Sequence, residues 1–308
     1  MTTIVDFALL AGASYYDTRS DINRFPLPNG WTIYSRLPED KSSGFEATAY
    51  KSGSEIVISY AGTNPADLSG DIATDGALAL GNICDQLRQA ADYYLQIKAL
   101  NANATITFTG HSLGGGLASL MAVYFNESAT TFDQAPFRRS ALISRTNIGG
   151  NIITHSTAAD LLSYLRNKGT YSEKQLASLK AFVIAGDPSY PNPIAGDPLA
   201  VREQKVTNIN TDGEFLTSWP VVPTSNRIGS QADIPNSHDG VGGIDLHSQA
   251  LLTAFLQSDP TAATNSNANA KTLNRVTFKL PDLLKMVFDK NLYAFDTSIA
   301  NSPERNAA

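Results

Sequence analysis

The sequence predicts an α/β fold in which helices flank a mostly parallel sheet, and three observations lead to that prediction. Short runs of β-branched and aromatic residues alternate with longer runs whose apolar residues recur at helical spacing. The run at 55–62 is apolar at most positions, which is typical of a strand buried on both faces. Residues 105–110 form a further strand pattern, and an amphipathic helix pattern follows it directly.

The first 62 residues are predicted to form one helix and three strands. Apolar residues recur at helical spacing from Ile4 to Tyr15. The three strands lie within WTIYSRL, GFEATAYKSG and SEIVISYAG. A hairpin turn is expected at Lys51-Ser52-Gly53-Ser54, between the last two strands.

The central part of the chain continues the alternation of strand and helix. Residues 64–82 contain Pro, Gly and Asp and are predicted to be irregular. A helix is expected over about 83–100, where apolar residues form one stripe. The strand at 105–110 and its helix follow, and the next strand with its exit loop is expected at 129–137.

The second half of the chain is less regular. We predict that residues 138–204 form an insertion of helices and loops over the sheet. A strand is expected to begin at 205, and DLHSQALLTAFLQSD predicts a closing helix. Residues 1–260 are therefore assigned to one α/β domain, and residues 261–308 to a polar linker and a C-terminal helical tail.

Composition narrows the classes of partner and cofactor. The net charge of −6 disfavours nucleic acid, which favours a basic face. No apolar run reaches the roughly 18 residues that a membrane span needs. The single cysteine, Cys84, allows no internal disulfide. Because no Cys/His cluster indicates zinc, we predict no metal and no cofactor.

The N-terminal residues bear on localisation. MTTIVDFALLAGASYYDTRSD has no basic n-region and contains Asp6 early, so a Sec signal peptide is not expected. Two localisations remain. The protein is either extracellular, exported without an N-terminal signal and with an export signal beyond residue 308, or cytoplasmic. The oligomeric state stays open.

One motif points to chemistry. Gly110-His111-Ser112-Leu113-Gly114 is a GxSxG element between a predicted strand and a predicted helix. In that context it is typical of a nucleophile elbow, where a tight turn exposes a serine hydroxyl above the sheet. The two glycines let strand and helix approach closely, and the N–H of Leu113 can donate to an oxyanion. Ser112 is therefore the predicted nucleophile, and a phosphate loop is excluded because no GK[ST] follows.

GHSLGG after TITFT, together with VISYAGTNPADLSGD upstream, resembles the class 3 lipase family. The resemblance covers about residues 45–137 well and 205–257 loosely. It implies an α/β-hydrolase fold and a bacterial lipase or phospholipase A1 activity. The triplet Ala61-Gly62-Thr63 matches the family's RGT element, so Thr63 and Leu113 are the implied oxyanion-hole donors. Ala61 replaces the usual Arg, which removes an ion-pair partner but no oxyanion-hole donor.

The serine needs a base, which is expected to follow the acid in the chain. We favour His247, which lies at the start of the closing helix, where the family's histidine loop ends. His238, in a Gly/Asp-rich stretch, is the alternative. His111 flanks the elbow, and His155 precedes any plausible acid loop.

The acid should orient the histidine from the loop after the strand that begins at 205. Family members carry Asp-x-Val there. Glu214-Phe215-Leu216 matches the acid-x-apolar pattern better, whereas Asp212 supplies the usual residue type. We rank Glu214 above Asp212. Asp187 and Asp197, in Asp-Pro turns, are third choices.

These residues predict a serine hydrolase that cleaves carboxylic esters of lipids through an acyl-enzyme on Ser112. The expected partner is a lipid or ester substrate at a lipid–water interface. Two alternatives remain: a soluble short-chain esterase or polyester hydrolase, and an inactive hydrolase fold that serves as a binding module.

Overall fold

The structure is a computed structural model. It describes residues 2–17, 24–62, 76–141, 144–148, 151–186, 198–214, 216, 226–234 and 246–258. The predicted linker and tail at 261–308 lie outside these residues.

In the residues that the structure describes, nine strands form two sheets. In chain order they are β1 Thr32–Asp40, β2 Phe45–Ser52, β3 Glu55–Tyr60, β4 Thr105–His111, β5 Ser128–Phe132, β6 Ser144–Ile148, β7 Asn151–His155, β8 Val206–Thr211 and β9 Ser230–Ile234. The main sheet has the order β1-β2-β3-β4-β5-β8-β9, and β6 and β7 form a separate hairpin. In the main sheet, β1 pairs antiparallel with β2, and β2 pairs antiparallel with β3. The pairs β3–β4, β4–β5, β5–β8 and β8–β9 are parallel. The predicted α/β fold with a mostly parallel sheet is confirmed.

Helices lie on both faces of this sheet. They are α1 Ile4–Ala13, α2 Gly76–Leu100, α3 Leu113–Phe125, α4 Arg138–Ala141, α5 Thr157–Asn167, α6 Ala177–Gly186, α7 Pro198–Arg202 and α8 Gln249–Ser258. Helices α1 and α8 pack together on one face. Helices α2, α3, α5 and α6 share the core of the other face. Side chains of β3 alternate between the two faces of the sheet. Ile56 and Ile58 belong to the core that contains α2, α3, α5 and α6, whereas Val57 lies on the face covered by α1 and α8.

The first helix begins with a capping box. Thr3 Oγ1 accepts from the N–H of Asp6 at 3.1 Å, and the Asp6 carboxylate accepts from the N–H of Thr3 at 2.8 Å. Two of the four N–H groups that lack an acceptor at a helix start are thereby satisfied. The buried side of α1 then covers the ends of β4 and β5, where the candidate site lies.

Three sequence predictions need correction. Helix α2 begins at Gly76, inside the segment predicted to be irregular. Its glycines lower helix propensity, but the alternating Ala and Leu residues favour a helix. The hairpin of β6 and β7 was missed, although Gly149-Gly150 between the strands is a hairpin signal. Strand β9 was missed because SQADI is a mainly polar edge strand.

The segment between β5 and β8 contains α4 to α7 as well as the hairpin. The sequence predicts helices within residues 138–204, and α5 and α6 confirm that prediction. The proposed domain limits stay a prediction. In the part of the chain that the structure describes, every helix is too short or too polar to cross a membrane.

Candidate active site

The turn between β4 and α3 holds Ser112 in a strained conformation. Its φ of 57° and ψ of −126° lie outside the helical and extended regions. The N–H of Ser112 donates to the carbonyl of Phe132 at 3.0 Å. The carbonyl of Ser112 accepts from the N–H groups of Gly116 at 3.0 Å and of Ala135 at 2.9 Å. Backbone hydrogen bonds from two sides therefore maintain the geometry of a nucleophile elbow.

Glycine is required on both sides of this turn. A Cβ atom on Gly114 would lie 2.0 Å from the carbonyl oxygen of Tyr60. A Cβ atom on Gly110 would lie 2.6 Å from the backbone of Gly114. Strand and helix can approach this closely only without side chains, which explains both glycines of the GxSxG element.

Three side chains form a continuous hydrogen-bond chain at the carboxyl end of the sheet. His247 Nε2 lies 2.8 Å from Ser112 Oγ. His247 Nδ1 lies 2.7 Å from Glu214 Oε2. Ser112 follows β4, Glu214 follows β8, and His247 immediately precedes α8. The structure thus brings together the three residues favoured from the sequence, in the geometry that nucleophilic catalysis by serine requires.

The candidate acid, Glu214, is fully buried and paired with a buried cation. Glu214 has no exposed surface, and its Oε1 accepts a hydrogen bond from the guanidinium of Arg227. Its Oε2 also accepts from the N–H of Leu216 at 2.8 Å. These bonds leave Oε2 directed at the imidazole. Asp212, the alternative acid, is exposed, and its N–H donates to the carbonyl of Ile234.

Arg227 connects the acid to the elbow. Its Nε donates to the carbonyl of Gln134 at 2.9 Å. Gln134 is buried, and its side chain exchanges two hydrogen bonds with the backbone of Ile228. The next residue, Ala135, donates to Ser112. One hydrogen-bond network therefore positions the candidate acid and the candidate nucleophile relative to each other.

His111 supports His247 directly. Its Nε2 lies 2.8 Å from the carbonyl oxygen of His247, and the two rings are 4.7 Å apart. Because a carbonyl only accepts, Nε2 carries the proton. His111 Nδ1 lies 3.1 Å from the hydroxyl of Tyr15, which in a neutral ring donates to it. Helix α1 thus contributes, through Tyr15, to the position of the candidate base.

A buried carboxyl group, that of Asp133, lies next to both histidines. One carboxylate oxygen of Asp133 and one ring nitrogen of each of His111 and His247 lie within 4.8 Å of one another. This is the set of described residues that could hold a metal ion. Hydrogen bonds to Glu214 and to the His247 carbonyl already occupy two of the ring nitrogens. Burial, followed by the charge of Glu214, raises the pKa of Asp133 well above its usual range.

Of the two predicted oxyanion-hole donors, Leu113 is among the described residues. Leu113 is the first residue of α3, where backbone N–H groups have no acceptor within the helix. Thr63 lies outside the described residues. Its neighbour Gly62 is described, and a Cβ atom there would lie 2.5 Å from the Tyr15 hydroxyl and 2.8 Å from the carbonyl of His111. Gly62 therefore lies in close contact with the elbow.

The remaining candidates from the sequence do not join the described site. His238, Asp187 and Asp197 lie outside the described residues. His155 ends β7 in the separate hairpin. Tyr15, Arg227 and Asp133 were not predicted from the sequence. Asp133 had a usable signal, since it directly follows a predicted strand, whereas Tyr15 and Arg227 lie far from any motif.

The family model for Tle-like phospholipase domains, described as phospholipase-like, matches residues 8–187. The chain belongs to this phospholipase-like family. The match includes the elbow and ends before β8. The lipase or phospholipase resemblance of the sequence is thereby confirmed at the level of the family.

One relative is named as a phospholipase. This chain is 35% identical over 106 residues to the extracellular phospholipase A1 of Serratia liquefaciens, an alignment that covers 34% of this chain and 32% of that protein. The alignment therefore spans about a third of the relative's length.

Solved structures with similarity include two fungal lipases. The lipase of Rhizopus microsporus var. chinensis matches with a TM-score of 0.40 and 12% identity, covering 75% of this chain and 73% of that chain. Lipase II of Rhizopus niveus matches with a TM-score of 0.40 and 14% identity, covering 75% and 79%.

Proposed function

We propose that this domain is a serine hydrolase that cleaves carboxylic esters of lipids, with Ser112 as nucleophile, His247 as base and Glu214 as acid. The observation that carries the proposal is the unbroken hydrogen-bond chain from Ser112 Oγ through His247 to Glu214. Membership of the phospholipase-like family supports the same reaction.

The mechanism is acyl transfer in two halves. His247 Nε2 takes the proton of Ser112 Oγ as the oxygen attacks the ester carbonyl. The imidazolium, stabilised by Glu214 at Nδ1, then gives that proton to the departing alcohol. Water attacks the acyl-enzyme by the same route, which releases the fatty acid and restores the serine. Glu214 stays ionised throughout, because the buried guanidinium of Arg227 compensates its charge.

The oxyanion formed in each half needs hydrogen-bond donors. The N–H of Leu113 lies at the start of α3, where the helix dipole also favours negative charge. Thr63 supplies the second donor in this proposal, since its neighbour Gly62 lies against the elbow. Removal of one such donor costs about 3–4 kcal/mol of transition-state stabilisation.

The substrate class follows from the relatives. A phospholipase A1 is the named activity of the Serratia liquefaciens protein, and the matching family is phospholipase-like. We therefore assign a glycerophospholipid or acylglycerol at a lipid–water interface as the substrate. The name of that relative also supports an extracellular site of action.

The first test is hydrolysis of p-nitrophenyl esters of increasing chain length and of phospholipid micelles. Ser112→Ala and His247→Ala are compared with wild type, and Ser163→Ala, on the exposed side of α5, is the matched serine control. We expect kcat to fall by about 10⁴-fold or more in the first two variants. The control should keep wild-type activity.

His238→Ala, measured in the same series, separates the two candidate bases. Loss of activity in His238→Ala with retention in His247→Ala would reject the proposed base. A preference for short soluble esters would indicate an esterase. A wild-type protein that is inert on every substrate would favour the binding-module alternative.

A further inference from the structure

Asp133 has no part in the mechanism above, yet the fold holds it firmly beside the candidate triad. Its side chain is completely buried, and its φ of 41° lies in the left-handed region, which is uncommon for residues other than glycine. Its N–H donates to the carbonyl of Ile209 at 2.9 Å. Its Oδ1 accepts from the N–H of Thr211 at 2.7 Å. Asp133 is therefore fixed where β5 and β8 end side by side.

The second oxygen of this carboxyl group is unusual. Asp133 Oδ2 is buried and bonds to none of the residues that the structure describes. A buried acceptor that lacks a partner lowers stability. An oxygen of the same group lies within 4.8 Å of a ring nitrogen of His247. The Asp133 carboxyl group thus lies close to the ring of the candidate base.

Several charged groups surround Asp133. Glu214 and Asp233 repel its ionised form, Arg227 attracts it, and the two titratable rings of His111 and His247 lie nearby. Two buried carboxyl groups this close do not both ionise readily. Glu214 has the ion pair with Arg227. Asp133 therefore carries the proton of the pair while Glu214 is charged.

We propose that Asp133 is a reserve acid, placed to orient His247 from the end of β5 when Glu214 cannot do so. The inference rests on the proposed ester hydrolysis, because the imidazolium of His247 is the group that the acid stabilises. Asp133 is thus a positioning residue that acts through His247, and it does not touch the substrate.

The exchange of acids changes hydrogen bonds and protonation only. With Glu214 present, Asp133 stays protonated and Glu214 Oε2 accepts from His247. When Glu214 is truncated, its repulsion disappears and Arg227 loses a carboxylate partner. The proton of Asp133 then passes to solvent, and the new carboxylate accepts the N–H of His247.

Two substitutions of Glu214 distinguish this proposal from a structural role. Glu214→Ala opens space for Asp133 to approach His247, whereas Glu214→Gln fills that space with a neutral amide. We expect kcat/KM of Glu214→Ala to exceed that of Glu214→Gln by about tenfold or more, because a neutral amide holds the wrong tautomer of the base. Adding Asp133→Asn should remove the advantage of Glu214→Ala. A structural role predicts the opposite order, since Gln preserves the packing.

The pH dependence of kcat/KM is a second measurement, and a loss of packing alone would not shift it. In Glu214→Ala the acidic limb of kcat/KM should move to higher pH than in wild type, because burial raises the pKa of Asp133 and only its carboxylate supports the base. Asp160→Asn, an exposed change on α5, is the matched control and should alter neither the rate nor the profile.

The outcomes separate the two proposals. An inert wild type rejects the proposed function. An active wild type with inactive Ser112→Ala, but with Glu214→Ala no better than Glu214→Gln, rejects only the reserve acid. If thermal unfolding shows that Glu214→Ala does not fold, Glu214→Ser, which also leaves that space open, takes its place. Its kcat/KM should then exceed that of Glu214→Gln, and no gain overturns the inference.

Discussion

Two buried glutamates on different parts of the sheet show how burial and pairing act together. Glu214, after β8, and Glu46, in β2, expose 0% and 1% of their surface. Glu214 is paired with the buried guanidinium of Arg227. Glu46 accepts from the N–H groups of Tyr16 and Asp17, but Arg36 approaches only to 3.9 Å and makes a shorter bridge to Asp17.

The weaker pairing of Glu46 affects its pKa. Burial, together with the nearby charge of Asp17, raises the pKa of Glu46 from 4.5 to about 7, although two backbone N–H groups favour its ionised form. Its Oε2 is buried and bonds to none of the described residues. Two backbone donors and a guanidinium at 3.9 Å are thus not enough to keep the pKa of buried Glu46 at its usual value.

The largest expected effect comes from breaking the Glu214 pair. Arg227→Met leaves a buried carboxylate without its cation, which costs about 3–5 kcal/mol of unfolding free energy. Ester hydrolysis should fall as well, because Glu214 loses the contact that orients it. Urea denaturation and kcat/KM measure the two effects.

Arg138→Met is the matched control for that change. Arg138 forms a similar bidentate bridge to Glu203, but their side chains are 29% and 20% exposed. A pair of this kind contributes about 0–1 kcal/mol. Equal losses in the two variants would contradict the view that burial makes the Arg227 pair different.

The next effect concerns Glu46 and has a pH dependence. The folded state binds the Glu46 proton more tightly than the unfolded state, so its contribution to stability is lost as pH rises from 4.5 to about 7. A shift of this size corresponds to about 3 kcal/mol. Wild type should therefore lose about that much unfolding free energy relative to Glu46→Gln between pH 4.5 and pH 8.

Denaturant unfolding at several pH values tests this prediction. Glu173→Gln serves as a control, because two cations lower the pKa of exposed Glu173 to about 2 and it stays charged over the whole range. The same pH slope in wild type and in Glu46→Gln would show that Glu46 does not titrate there.

The smallest expected effect comes from Tyr15, which lies between the surroundings of Glu46 and the candidate site. Tyr15 precedes Tyr16, whose N–H donates to Glu46. The hydroxyl of Tyr15 lies 3.1 Å from His111 Nδ1. Tyr15→Phe should cost about 1 kcal/mol of stability and lower kcat a few-fold, because His111 then supports His247 less firmly. Thermal unfolding and ester hydrolysis measure both. Tyr34→Phe, on the exposed edge strand, should change neither.

The elements that the sequence predicted well are those with strong local patterns. Strands β2, β3 and β4 and helix α3 have short-range periodicity, and the GxSxG element lies between the last two. His247 and Glu214 followed from chain order and a family resemblance, and the structure places His247 beside Ser112 and Glu214 beside His247. Strand β9 was missed because a polar edge strand has no such pattern.

What the sequence by itself determined is the α/β alternation, the elbow and the identity of the candidate nucleophile, because each depends on residues within a few positions of one another. Only the tertiary structure paired Glu214 with Arg227, brought His111 beneath His247 and left Asp133 as a second buried carboxyl group. Those contacts join residues that are far apart in the chain. Their energies depend on burial and charge compensation, which arise only when the strand ends meet.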